Sequence, residues 1–431
     1  MDNIYVKFSY DKLISIACII LLTYANYNAL IDKVIGTSVF RILLIVGALC
    51  IGLIPYLYTS IRKKHFLNKT VLLYFSFVLL IIFDNNRDLN GGTMFFSIRV
   101  IVALLLILFT NISFDWFKKI PKYVAIVGFP NILATLFFFV FRRSYSIMFK
   151  IYGYYPTGTN HGLTGYSAGI ANHYSQNGTY ISYVFIALAI ITMTERKKRK
   201  KKIYIVLTLS AFFSLLLTQK RGHMIFSVLA LFLAFFISSK GNVIPKVIKT
   251  AFIGAVALAL FYIMSYFIEP IATLLERFST AGTDNESLTR FAMWELCFEK
   301  FLTSPVFGIG WAQFPEQYFQ NLYLWWYDEK YKYLNAHNVY LQVLCETGIV
   351  GIIIYLLILA TNLFMIISTF KKIRNFDEYL PIEYKRTLAF SVAVQFFFIA
   401  YCMTGNGLYD YSFYFYMIAV ISGVALNKKI S

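Results

Sequence analysis

The chain has 431 residues, of which 59% are hydrophobic, 19% aromatic and only 14% charged. A soluble protein of this length needs far more polar surface to cover its core, so the composition excludes that class. The formal charge of +19 raises nucleic-acid binding as an alternative, but no basic stripe is interleaved with base-stacking aromatics, which argues against it.

Apolar runs of roughly 17–22 residues, long enough to cross a bilayer as helix, recur along the whole chain. They predict an all-α polytopic membrane protein with about twelve spans, near 13–31, 41–60, 66–83, 94–112, 123–141, 178–194, 203–219, 222–239, 251–269, 347–370, 387–404 and 411–427. The first run lacks a small-residue cleavage site and is interpreted as a spanning helix.

Basic clusters mark alternate loops of this topology. They fall at 61–65, 117–122, 195–202, 246–249, 371–375 and 427–429. All of them lie on one side of the membrane if both termini are cytoplasmic, as the positive-inside rule predicts. The basic excess is therefore mainly a topology signal, with attraction to anionic lipid as a secondary effect.

Two outer loops are long: 142–177, rich in Gly, Tyr and Asn, and 270–346. The second divides the chain into spans one to nine (1–269), a loop domain (270–346) and the last three spans (347–431). In it Thr283 and Glu286 fit a capping box. The apolar residues that follow recur at helical spacing, at Leu288, Phe291, Trp294, Phe298 and Phe301.

This pattern predicts an amphipathic helix on the outer membrane face, carrying Arg290 and Glu295 away from lipid. A buried soluble subdomain is the alternative. Cys297 and Cys345 both fall on the outside in this topology, where either a disulfide or two unrelated thiols fits the sequence.

Three separated segments place polar groups at the outer membrane boundary. The link "TQKRGH" (218–223) contains Lys220 and Arg221, which either snorkel or bind a ligand. Arg277 and Arg290 in the long loop are either solvated or part of the same site.

His337 and Asn338 form the third segment, directly before a long apolar run. Asn338 is a good N-cap, and a histidine at a helix N-terminus lies where anions are favoured. Arginine suits bidentate phosphate binding, and a neutral imidazole can accept a proton from a hydroxyl.

Other residues receive weaker predictions. Arg99, inside the fourth run, faces either the protein interior or the outer interface. The aromatic stretch 318–333 fits either sugar stacking or an interfacial belt. Asp410 is a candidate for sugar contact. His161 and His173 lack the spacing of a metal site, and we predict no metal and no cofactor.

The polar segments also carry a resemblance. "LLLTQKRG", "RFAMWELCFEKFLTSPVFGIGWAQF" and "HNVYLQVLCETGIVGIIIYL" resemble, in order and spacing, signature blocks of the O-antigen ligase and O-antigen polymerase superfamily. The earlier "HGLTGYSAGIANHYSQNG" is also similar to that family. The blocks lie within about 160–370. Lys220 departs from the family, where a serine is common before the arginine.

The resemblance implies a metal-independent glycosyltransferase that takes glycan from an undecaprenyl-diphosphate carrier outside the bacterial cytoplasmic membrane. Arg221 and Arg290, helped by Lys220 and Arg277, would then hold the diphosphate, and His337 would activate the acceptor hydroxyl. Asn338 and Trp294 are further candidates for substrate contact. Partners would be the lipid-linked glycan, membrane lipids and a chain-length regulator, with no nucleic acid.

Two alternatives remain at this point. We favour a polymerase, which would transfer the glycan to a second lipid-linked repeat unit; the first alternative is a ligase, which would transfer it to lipid A–core. A flippase or another transporter is the second alternative. Transporter halves usually show internal repeats and interrupted helices, and this sequence shows neither.

Overall fold

The computed structural model describes residues 2–430 apart from 37, 64–68, 86–90, 112–114, 155–165, most of 239–268, 281, 284, 322–333 and 376–380. The described part is helical throughout and contains no strand. Its α-helices are α1 (Asp2–Ile35), α2 (Ser38–Lys63), α3 (Lys69–Asn85), α4 (Gly91–Leu105), α5 (Ile120–Val140), α6 (Ser146–Tyr152), α7 (Tyr174–Thr194), α8 (Lys198–Leu217), α9 (Arg221–Ser238), α10 (Glu269–Ser279), α11 (Asn285–Thr303), α12 (Phe314–Asn321), α13 (Val339–Asn375), α14 (Ile382–Tyr401) and α15 (Ser412–Ile430).

The helices make this chain an integral membrane protein. Within the described residues, seven helical stretches are long and apolar enough to cross a bilayer, in α1, α2, α5, α7, α9, α13 and α15. Met94–Thr110 is a shorter apolar stretch, and α3, α8 and α14 coincide with three further predicted spans. The ninth predicted span, 251–269, lies largely outside the described residues. The count of twelve therefore stays a prediction.

α7 and α15 form the centre of the bundle, since most of each is buried. Several polar side chains within the bundle are paired with each other, which a nonpolar environment favours. Asn28 donates to the hydroxyl of Tyr180 over 2.7 Å, and Asn131 donates to Asn26 Oδ1 over 3.0 Å. These bonds join α1 to α7 and α5, so they set how these helices sit against each other.

The long loop is anchored to α13 at a kink. Gly348 has φ 64°, and the span predicted at 347–370 begins at this point. Backbone N–H groups of Ile309 and Gly310 donate to the carbonyls of Cys345 and Glu346, over 3.0 and 2.9 Å. A Cβ on Gly308 would lie 2.3 Å from the Glu346 backbone, so only glycine permits this approach.

α11 begins at Asn285, two residues after the predicted cap Thr283, whose hydroxyl instead donates to Thr280. Its apolar residues face two ways. Met293, Leu296 and Cys297 pack into the protein, whereas Leu288, Phe291 and Phe298 are about half exposed.

The exposed residues of α11 fit the prediction of an amphipathic helix, with one correction. Glu295 lies between Phe291 and Phe298 on the exposed face, and not opposite to it. The reason is that packing against α13 uses the stripe through Met293 and Cys297. Cys297 and Cys345 are free thiols in that buried cluster.

Candidate active site

A cavity of about 880 Å³ opens at one end of the bundle. Its walls come from the first turns of α7 and α9, the last turn of α14, the helices α10 and α11, and the loops 334–337 and 404–411. The cavity therefore joins the membrane helices to the long loop, from parts of the chain that are far apart in sequence.

Positive charge dominates this cavity. Among its described lining residues, five carry a permanent or usual positive charge and one carries a carboxylate: Arg99, Lys220, Arg221, Arg277 and Arg290, against Asp410. Converging cations at a membrane boundary, partly shielded from water, favour an anionic ligand. Guanidinium groups in particular match the oxygens of a phosphate.

Lys220 and Arg221 are presented by a tight link. α8 ends at Leu217 and α9 begins at Arg221, with Gln219 in the left-handed region at φ 57°. The Lys220 ammonium lies 4.5 Å from the centroid of the Tyr174 ring. Arg221 is the first residue of α9, so the free amides of the helix N-terminus add to its positive charge.

Arg277 ties α10 to this link. Its Nη1 donates to the carbonyl of Gln219 over 3.2 Å, and its guanidinium lies 5.0 Å from the Tyr166 ring centroid. Contacts with an aromatic face or a carbonyl orient a cation without cancelling its charge. Arg277 and Lys220 are thus held in place while their positive field still reaches the cavity.

Arg290 reaches the same cavity from α11. Met293 and Trp294, on the next turn of α11, fix the helix against the protein. Met293 is buried, and the Trp294 indole donates to the carbonyl of Ala336 over 2.9 Å. Arg290 and Lys220 both lie within electrostatic range of His223 at the start of α9. The two cations therefore approach one another from different elements.

His337 occupies a strained position on the cavity wall. Its backbone is left-handed at φ 54°, and its N–H donates to Asn406 Oδ1 over 3.0 Å. The next residue, Asn338, caps α13 by accepting from the N–H groups of Tyr340 and Leu341, over 3.1 and 3.2 Å. A left-handed non-glycine residue clamped on both sides is typical of functional sites.

A buried polar network supports this segment from below. Gln342 Oε1 accepts from the N–H of Ala336 over 3.0 Å, and Gln342 Nε2 donates to Glu346 over 2.9 Å. Glu346 also accepts from the hydroxyl of Tyr409 over 2.7 Å. The backbone beside His337 is therefore tied to the loop that carries Asp410.

Six of the seven predicted site residues line this one cavity: His337, Arg221, Arg290, Lys220, Arg277 and Trp294. Asn338 does not line it, and its side-chain oxygen is used as the helix cap, which is the alternative that the sequence left open. The aromatic stretch 318–333 lies mainly outside the described residues, and Tyr318 packs in the buried cluster of α11.

Asp410 lines the cavity and is held by several hydrogen bonds, whereas the sequence indicated only a candidate for sugar contact. It accepts from the hydroxyl of Tyr401 over 2.8 Å and from the N–H of Ser412 over 2.7 Å. Burial raises the pKa of Asp410 to about 6, although these hydrogen bonds oppose the shift. A carboxyl that titrates near neutral pH inside a cationic cavity is a functional candidate.

Arg99 and His223 complete the wall. Arg99 donates to the carbonyl of Tyr409 over 2.6 Å and lies between the rings of Phe96 and Tyr411, 4.8 and 4.4 Å from their centroids. A single arginine inside an apolar run, as Arg99 is, can be recognised from the sequence as a candidate site residue. His223, which bonds Thr179 over 2.7 Å, was missed although it directly follows the "KRG" that was singled out.

Fold and cavity together define a helical integral membrane protein with a cationic cavity at one membrane boundary. Residues 205–356 match the family model described as O-antigen ligase, Wzy_C. This match confirms the resemblance to the O-antigen ligase and polymerase superfamily, whose members are membrane enzymes acting on lipid-linked glycans. The comparison with curated proteins found no match. The matched stretch contains Lys220, Arg221, Arg277, Arg290 and His337.

Proposed function

We propose that this protein is a glycosyltransferase that polymerises undecaprenyl-diphosphate-linked oligosaccharide repeat units into surface polysaccharide. The reaction takes place at the outer face of the bacterial cytoplasmic membrane, with both termini in the cytoplasm. The observation that carries the proposal is the meeting of five cations, His337 and Asp410 in one cavity.

The cations suit the donor. A lipid diphosphate carries several negative oxygens at the membrane boundary, and its departure from the sugar leaves further negative charge on the bridging oxygen. Arg221 and Arg290 face the cavity from α9 and α11, so each can hold phosphate oxygens by paired N–H bonds. Preformed donors of this kind lower the barrier because they stabilise the charge as it develops.

His337 acts as the general base for the acceptor hydroxyl. Its imidazole takes the proton of the acceptor hydroxyl as that oxygen forms a bond to the anomeric carbon, while the bond from this carbon to the diphosphate oxygen breaks. The diphosphate leaves with the electron pair. Asp410 lies in the same wall and accepts a hydroxyl hydrogen from Tyr401, so it is placed to bind a sugar hydroxyl as well.

Ligation is the second candidate, because the matching family model bears the ligase name. Both reactions use the same donor and the same leaving group, and they differ in the acceptor. Neither requires a metal or cofactor in this proposal. A flippase would move the lipid-linked glycan without making a glycosidic bond.

The test uses the purified full-length protein in liposomes with a lipid-diphosphate-linked repeat unit. A polymerase produces a ladder of products that differ by one repeat. A ligase produces no ladder and extends added lipid A–core instead. Movement of labelled glycan across the membrane with no new glycosidic bond would overturn the transferase proposal in favour of transport.

A further inference from the structure

A second cavity, of about 770 Å³, lies at the opposite end of the same helices. The candidate site uses the first turns of α7 and α9 and the last turn of α14, whereas the second cavity uses their other ends, at Met193, Ile237 and Lys385. α7 has 21 residues and therefore spans about 30 Å, which is the thickness of the hydrocarbon core. The two cavities thus lie at opposite membrane boundaries.

Apolar side chains make up most of the lining of this cavity, and basic side chains make up a smaller part of it. The basic residues are Arg196, Lys198, Lys201 and Lys385, and the apolar ones include Ile237, Ile367, Phe370 and Leu388. A lining that combines cations with apolar side chains matches a molecule with an anionic head and a hydrocarbon tail. A free anion would meet the cations and leave the apolar wall without a partner.

The carboxylate in this lining is already engaged. Glu195 lies 4.0 Å from the guanidinium of Arg386, which is almost fully buried. Arg386 also donates to the hydroxyl of Thr194 over 2.9 Å. Because Arg386 balances Glu195, the lysines of the cavity keep a net positive field.

The first turn of α8 brings Lys201 to the cavity, although its side chain is exposed. The buried or half-buried face of α8 runs through Tyr204, Thr208, Ala211 and Leu215 at steps of three or four residues. A hydrogen bond of 2.9 Å between Thr208 and Thr192 fixes α8 against α7 in this register.

We propose that this cavity binds an anionic phospholipid, with the phosphate held by Lys198, Lys201 and Lys385 and an acyl chain along the apolar wall. Basic pockets between membrane helices bind such headgroups. If the candidate active site faces outward, as the proposed function requires, this lipid belongs to the cytoplasmic leaflet. Binding itself does not depend on that function.

The test compares two matched variants of the full-length protein. Lys198→Gln/Lys201→Gln removes two cations that line the cavity, and Arg199→Gln/Lys202→Gln removes two from the start of the same helix that do not. Retention of phosphatidylglycerol and phosphatidylcholine is measured by native mass spectrometry of the detergent-purified protein. We expect the first variant to bind phosphatidylglycerol roughly tenfold more weakly, while the control keeps wild-type binding.

Three results would overturn the proposal: equal losses in both variants, no preference over phosphatidylcholine, or full displacement of the lipid by millimolar inorganic phosphate. The last would indicate a free-phosphate site. Lys385→Gln, on α14, provides a second variant should the first be unstable. Polymer formation is not the readout, so failure here is distinguishable from failure of the proposed function.

Discussion

Replacing Arg290 by alanine removes one of the five cations around the candidate active site. Arg290 sits on α11, outside the spanning helices, and shares the cavity with Arg221 and Lys220. A hydrogen bond to a charged group contributes about 1.5–3 kcal/mol, and loss of one preorganised donor to a developing anion lowers the rate by about 10²–10³-fold. We therefore expect Arg290→Ala to reduce polymer formation by about 10²-fold. Arg290→Lys should recover only part of this, because the planar fork is lost.

The assay is the initial rate of ladder formation in liposomes, with protein insertion checked by recovery in the membrane fraction. Lys300→Ala is the matched control, since Lys300 lies on the same helix but does not line the cavity. If both arginines hold one diphosphate, Arg221→Ala/Arg290→Ala will lose less than the product of the single losses. An Arg290→Ala enzyme within about threefold of wild type would refute this reasoning.

Other substitutions separate catalysis, electrostatics and folding. His337→Gln should lower turnover by about 10²–10⁴-fold with little change in donor affinity, measured by single-turnover rate and by binding of the lipid diphosphate. A parallel loss of affinity would contradict that role. Burial raises the pKa of Asp410 to about 6, above its unfolded value, so the folded state binds the extra proton and Asp410 costs stability as pH rises from about 4 to 6. Asp410→Asn should therefore melt increasingly higher than wild type across that window, and a constant difference would contradict the shift. Asn338→Ala should lower unfolding free energy by about 1 kcal/mol through loss of the cap and leave donor affinity unchanged, in denaturation and binding assays. Weaker donor binding would favour direct substrate contact.

The positions of the helices were largely predictable from the sequence. Hydrophobic run length is a local property, and the ends of α5, α7, α9 and α13 agree with predicted spans to within several residues, apart from the extra turns of α13 before its kink. The kink in α13 could not be predicted in the same way. It depends on Gly348 meeting the backbone of Val306, a contact made only once the long loop has folded back.

Local sequence also identified most of the cationic wall. Lys220 and Arg221 stand out because charged groups are costly beside lipid and these two lie at a span boundary. Arg290 lies in the long loop and stands out through the resemblance of the block that contains it. The sequence indicated a site role for Asp410 and Tyr401 less clearly. Their partnership spans α14 and α15, and the raised pKa of Asp410 arises from burial by neighbours that no short window of sequence contains.

The amino-acid sequence alone thus determined the membrane-spanning class and the resemblance to the O-antigen ligase and polymerase superfamily, because apolar length and ordered polar blocks are local features of the chain. Which face of α11 is buried, that Asn338 serves as a cap, and that a basic and apolar cavity lies at the far end of α7 were decided only by tertiary packing. Each of these depends on contacts between residues tens to hundreds of positions apart, and helix periodicity does not specify which neighbour a face will meet.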